Sequence, residues 1–146
     1  MNSIPGESRK ISIAAAIIAD ASGRLLLVRK RGTSAFMQPG GKIEPHEEPV
    51  DALVRELREE LGLVIDPTTA TPLGLFLAKA ANEPDSTVEA ELFTVSIEAD
   101  PVTAAEIEEM IWLDPGSAHD IELAPLTRDV VLGLFQRQKE FNDHFV

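Results

Sequence analysis

The sequence predicts an α/β fold, and three observations predict it. Apolar runs of strand length recur at Ile11–Ala19, Leu25–Arg31, Leu73–Ala80, Thr87–Glu98 and Glu106–Leu113. Between the second and third lies Val50 to Leu61, whose apolar residues repeat at helical spacing. A second helical repeat closes the chain, from about Pro125 to Phe141, with Val130, Val131, Leu134 and Phe135 on its buried side. At 146 residues the chain is expected to form one domain over 1–146. That length buries roughly 70% of the unfolded surface.

Residues 1–9 are polar and expected to be loosely ordered. Arg9 and Lys10 followed by an Ile-rich run imitate a secretory signal. A buried strand is the favoured reading, and nine apolar residues are too few to span a bilayer. The turn Asp20-Ala21-Ser22-Gly23 should join this strand to Leu25–Arg31 as a hairpin. The second strand ends in Arg29, Lys30 and Arg31, which suits either a soluble strand end or a phosphate site. After a loop over Gly32–Met37, Gln38-Pro39-Gly40-Gly41 permits a tight backbone path, open to a ligand because glycine has no side chain.

The helix has clear ends. Pro49 suits its first turn, where a missing N–H costs nothing, and Gly62 suits a left-handed stop. Val50, Leu53, Val54, Leu57 and Leu61 form the apolar stripe. Glu56, Glu59 and Glu60 are centred roughly 120° around the helix from it, on one expected exposed edge. Like charges at i, i+4 cost about 0.2–0.5 kcal/mol, and Glu59 and Glu60 crowd the end where the helix dipole favours cations. Arg55 and Arg58 offset part of this, and a hard divalent cation would offset more. From geometry alone, a solvated face and a metal site both stay open.

The spacing is more specific. Gly41 is followed after five residues by Glu47, after seven more by Arg55-Glu56-Leu57, then by Glu59-Glu60 and Gly62-Leu63. This 23-residue pattern resembles the Nudix box of the Nudix hydrolases, with every fixed position filled. Chance would produce it on the order of 10⁻⁹–10⁻¹⁰ per window at ordinary residue frequencies. The resemblance implies a Nudix-like α-β-α sandwich, a mixed sheet between helices. It also implies Mg²⁺, with Mn²⁺ able to substitute, held by Glu59, Glu60, Glu56 and the Gly40 carbonyl. Glu56 would ligate or act as general base; the sequence does not separate the two duties. Glu47 and Arg55 read as an ion pair orienting the ligands. Arg29 and Lys30 are candidates for substrate phosphate. Relatives often carry glycine where His46 stands, which bears on the local loop shape; a histidine facing water is the expected reading.

Beyond the helix, an Asp66-Pro67 turn leads to Leu73–Ala80, and a polar loop over Asn82–Ser86 leads to the long strand Thr87–Glu98. In that strand Val88, Ala90 and Leu92 are followed by Phe93, Val95 and Ile97, which suggests a shift of face and a bulge. In Nudix proteins a glutamate shortly before the next strand can reach the metal or act as base. Glu106 is the best positional match and Glu109 the second, against a merely solvated acidic loop. Trp112 reads as core. A loop from Pro115 to Ala124 precedes the last helix.

Composition sets the outer bounds. There is no cysteine, so disulfides, thiol nucleophiles and cysteine metal sites are excluded. A net charge of −12 argues against a duplex nucleic-acid partner. The expected function is Mg²⁺-dependent hydrolysis of a phosphoanhydride in a nucleoside diphosphate linked to another group. A MutT-like nucleoside triphosphate pyrophosphohydrolase leads, in the cytoplasm, with a nucleotide as substrate, no membrane partner, and a homodimer left open. An ADP-ribose or nucleotide-sugar pyrophosphatase and a non-catalytic nucleotide-binding regulator are the alternatives. An isopentenyl diphosphate isomerase of the same fold is excluded because it needs a cysteine. The amide that reads oxidised guanine in some relatives, just before the last helix, has no counterpart in Glu122-Leu123-Ala124.

Overall fold

The structure is a computed structural model, and it describes residues 9–117 and 120–137. Among the described residues six strands and two helices form the layers. β1 (Arg9–Ile17), β3 (Gly40–Lys42), β4 (Thr71–Lys79) and β5 (Ser86–Thr94) make one sheet in the order β3-β1-β5-β4. β1 runs parallel to β5 and antiparallel to β3, and β4 is antiparallel to β5, so the sheet is mixed as expected. β2 (Leu25–Lys30) and β6 (Ile107–Leu113) form a separate antiparallel pair. Helix α1 (Pro49–Leu61) covers one side, and α2, over residues 125–137, covers the other. The expected helix ended at Phe141; residues 138–141 lie outside the described residues. Among the described residues no helix is long and apolar enough to cross a membrane.

Strand alternation sorts the side chains into two cores. Ala14, Ala16, Ile18, Leu26 and Val28 face α1, with its Leu53, Leu57 and Leu61. Ala15, Ile17, Leu25, Leu27 and Leu92 face α2, with its Val131 and Phe135. Each fully buried Leu of α1 is worth about 1.5–3 kcal/mol relative to exposure. Trp112 packs against the α1 core, in line with its expected core role.

Three expectations need correction. The hairpin between β1 and β2 is only a corner. Leu26 N–H donates to Ile18 C=O at 2.9 Å and Ala19 bridges Leu25, after which the two strands join different sheets. Asp20 tightens the corner by accepting from the Ser22 and Arg24 N–H groups. β5 does not shift face: Val88, Ala90 and Leu92 belong to the α2 core, and Phe93 and Val95 to the α1 core, in strict alternation. Leu92 and Phe93 are both buried because this sheet is covered on both sides there. The irregularity is on β4, where the register slips between Pro72 and Gly74 opposite Phe93 and Leu92. β5 also stops at Thr94, short of the expected Glu98.

Candidate active site

α1 sets the site because its ends are fixed. Gly62 adopts φ 65°, ψ 17°; its N–H donates to Arg58 C=O, and the Leu63 N–H reaches back to Leu57 C=O. This is the left-handed glycine stop the sequence anticipates, with the Gly62 N–H making the 5→1 bond of an αL cap. At the other end β3 pairs with β1 through Ala15↔Gly40 and Ala14↔Gly41, which lays the two glycines beside the helix. His46 takes a left-handed φ of 67° in the intervening loop and is exposed, consistent with a water-facing residue.

The three helix glutamates do not share one exposed edge. Glu60 is only 2% exposed, Glu56 is mostly covered, and Glu59 has 54% of its side chain in solvent. The stripe of large apolar residues was too narrow a guide to the buried arc. Ala52 is also fully buried, and at 100° per residue Glu60 stands only about 20° from Leu53. Neither carboxylate oxygen of Glu60 makes a full hydrogen bond among the described residues, although the Gly40 N–H is directed towards it. Burial, and then the neighbouring Glu56, push its pKa up to about 8; the charge of Lys30 and the N–H of Gly40 counter this only in part. An unpartnered buried carboxylate next to another carboxylate is costly unless a cation joins them.

Glu56 is held in place from two directions. Arg55 Nη1 donates to its Oε1 at 2.8 Å. Gly41 presses on its other side: a Cβ there would lie 2.5 Å from Glu56 Cδ. Arg55 in turn grips Glu47 with Nε and Nη2, both at 2.9 Å, and donates to the Lys42 carbonyl at 3.1 Å. The Arg55 hydrogen bond, with a second from the Glu44 N–H, holds Glu47 down at a pKa of about 2. The ion pair expected between Glu47 and Arg55 is therefore present, and it ties the loop to the helix. Arg55→Ala should lower activity about 10–100-fold, the range for a residue that orients ligands. Glu47→Gln should resemble it. In a double-mutant cycle the losses should fall clearly short of additive; fully additive losses would mean the residues act separately.

Gly40 and Gly41 make separable demands. A Cβ at Gly40 would lie 2.1 Å from the Ala14 carbonyl oxygen, and φ is 145°. Gly40→Ala should thus cost about 2–5 kcal/mol in stability by forcing β3 from β1. Gly41→Ala meets only the end of a side chain, so the protein should fold while Glu56 is displaced and activity falls. Chemical denaturation alongside rate measurements checks the pair; equal stability losses would contradict it.

The remaining expected residues divide. Lys30 lies near Glu60 and pairs with Glu106 at 3.3 Å, which brings Glu106 towards the helix carboxylates. Arg29 is turned to the α2 side, 6.0 Å over the Phe36 ring, where it binds Glu109 at 3.0 Å and the Thr33 carbonyl at 2.8 Å. Arg29 and Glu109 thus satisfy each other away from Glu56 and Glu60. Glu59 approaches Arg55 at 3.7 Å instead of joining the other two carboxylates. Among the described residues no three carboxylate or imidazole groups converge. The arrangement fits a hard cation taken by two carboxylates, with waters and substrate phosphates in the other positions.

Next to Gly40 and Gly41 opens a cleft of about 140 Å³ that Lys30, Ile13, Val88 and Leu126 also line, with Glu56 and Glu60 outside its lining. Sequence reading missed two of its residues, Gln38 and Thr127, which are buried and hydrogen-bonded to each other. Only the polar character of Gln38 beside the glycines hinted at it.

Two carboxylates brought together on a box helix, beside a cleft on a mixed sheet, define a class of protein that comparison with known families identifies. The NUDIX domain model matches residues 9–133, and the chain belongs to the Nudix family. It is 31% identical to the CTP pyrophosphohydrolase of Escherichia coli (strain K12) over 122 residues, covering 80% of this chain and 85% of that one. It is 49% identical to the RNA pyrophosphohydrolase of Halorhodospira halophila (strain DSM 244 / SL1) over 47 residues, 32% of this chain and only 26% of that protein. The crystal structure of the MutT protein from Methanosarcina mazei Go1 superposes with a TM-score of 0.71 at 23% identity, covering 94% of this chain and 99% of that one. That likeness shows the fold.

Proposed function

We propose that the chain hydrolyses a phosphoanhydride bond of a nucleoside triphosphate, releasing the monophosphate and pyrophosphate in a Mg²⁺-dependent reaction, with Mn²⁺ able to substitute. The observation that carries this is the buried Glu60 carboxylate, without a full hydrogen bond and beside Glu56, next to a cleft lined by Lys30, Gly40 and Gly41. The relatives named above as acting on CTP and on RNA share a phosphate chain on a nucleoside, which supports the class of substrate. The net charge of −12 favours a small nucleotide over a long nucleic acid. We place the activity in the cytoplasm and in a single domain.

Glu56 and Glu60 would hold the divalent ion, with the Gly40 carbonyl as a further oxygen. When bound, such an ion neutralises phosphate charge and lowers the pKa of water. The chain's own residues do the rest. Glu47 and Arg55 fix the direction of Glu56, so its carboxylate stays beside Glu60 where the ion would sit. Lys30, Lys42 and Lys79 on the cleft wall attract the anionic chain of the substrate. Water attacks phosphorus, its proton passes to a carboxylate, and the pyrophosphate departs. That carboxylate is Glu56 if Glu60 alone ligates the ion, and Glu106, near Lys30, if Glu56 ligates as well.

A panel of nucleoside triphosphates, oxidised forms, ADP-ribose, NADH and nucleotide sugars tests this. Triphosphates should yield pyrophosphate with Mg²⁺ and nothing after EDTA. Turnover confined to ADP-ribose or nucleotide sugars would move the substrate class. Tight binding of a nucleotide without turnover of any would favour a regulator.

A further inference from the structure

Among the described residues, only two carry buried side-chain polar atoms without a hydrogen-bond partner, Glu60 and Gln38. Glu60 is accounted for by the cation. Gln38 is not. It is 5% exposed, its Nε2 has no partner, and it lines the cleft two residues before Gly40.

The amide is also oriented. Thr127, fully buried, donates its hydroxyl proton to Gln38 Oε1. With the oxygen engaged there, the two N–H donors are the free end of the group. Thr127 opens a stretch of π geometry in α2, Thr127–Val131, in which the Leu132 N–H reaches the Thr127 carbonyl. Such widened turns are uncommon and recur at functional sites. A buried NH₂ left empty costs as much as a lost hydrogen bond, so the arrangement is sensible if a ligand completes it.

The ligand's chemistry follows from the surroundings. Gln38 is neutral, and the cationic groups and glycines suited to phosphate lie at Lys30, Gly40 and Lys42. Along the wall Ile13, Val88 and Leu126 offer an apolar surface suited to a flat ring. We propose that Gln38 is a specificity-determining residue whose carboxamide N–H groups read a carbonyl oxygen of the nucleobase. It selects guanine, uracil, thymine or cytosine, each with a ring carbonyl, over adenine, which has none. Thr127 is the positioning residue that holds the oxygen and leaves the donors unengaged. The proposal rests on the cleft being the nucleotide site of the reading above.

The test is calorimetric binding of the non-hydrolysable α,β-methylene analogues of GTP, UTP and ATP in the presence of Mg²⁺. It is run beside kcat/KM for the natural nucleotides. The wild type should bind the GTP and UTP analogues about 10–100-fold more tightly than the ATP analogue, as expected when a buried donor is otherwise left unmatched. Gln38→Met keeps the length of the side chain and should erase most of that ratio with little change for ATP. Thr127→Val frees the amide to turn and should reduce the ratio in part; it decides the matter if Gln38→Met does not fold. No preference in the wild type, or a preference that survives in folded Gln38→Met, overturns the proposal. The first would also be the result if a buried water simply completes Gln38. Preference in binding without hydrolysis of any nucleotide would sink the hydrolase reading and leave the Gln38 assignment standing. Hydrolysis without preference would do the reverse.

Discussion

Glu60→Gln is expected to reduce hydrolysis about 10³-fold, beyond the 10–100-fold typical of a supporting residue, while making the cation-free protein more stable. The wild-type protein buries a carboxylate whose pKa is about 8 when folded and 4.5 when unfolded. Between those values the folded state binds more protons than the unfolded state. Its stability therefore falls as pH rises from about 4.5 to about 8 and levels off above. The amide does not titrate, so that slope should be lost and the variant should gain up to a few kcal/mol at pH 8, with little difference below pH 4.5. Urea unfolding in EDTA at pH 5 and pH 8, beside steady-state rates, measures both effects. A variant less stable than wild type at pH 8, or one that keeps its activity, would show that the carboxylate is structural.

Glu56→Gln should lower kcat by about 10²–10⁴ with little effect on KM if Glu56 is the general base. Its companions make the result specific. Glu106→Gln removes a carboxylate that reaches the site only through Lys30, and Glu109→Gln removes one that pairs with Arg29 on the other side of β2. The first should have a smaller effect than Glu56→Gln, and the second should be close to neutral for kcat. A mild Glu56→Gln with a severe Glu106→Gln would transfer the base to the later loop. Hydrolysis in ¹⁸O water should place one label on one product. A trappable phosphorylated enzyme would overturn attack by water itself.

Local chemistry explains which parts of this site were legible in the sequence. Pro49 and Gly62 mark a helix by backbone preference alone, and Glu47 with Arg55 can be recognised from spacing and opposite charge. The order of the other strands and helices also follows from local periodicity, but the three-residue β3 reads in the sequence only as a tight glycine turn. The burial of Glu60 does not, because it depends on how closely β1 and β3 approach α1, and the fully buried Ala52 is too small to register in an apolar stripe. The separation of Arg29 from Lys30 depends on strand facing and on the register slip between them opposite β6. Gln38 and Thr127 lie 89 residues apart, and only the folded chain joins them. The opening of the β1–β2 hairpin is likewise tertiary: its turn is correct, yet each strand finds a better partner elsewhere.

The central claim is that Glu60 and Glu56 form a cation site. It is tested most directly by titrating Mg²⁺ or Mn²⁺ into the nucleotide-free protein at pH 7 in buffers of different ionisation enthalpy. The wild type should bind one ion and release a proton, because a carboxylate with a pKa of about 8 must ionise to ligate. Folded Glu60→Gln should bind far more weakly and release none. Equal affinity and equal proton release in the two proteins would contradict the account.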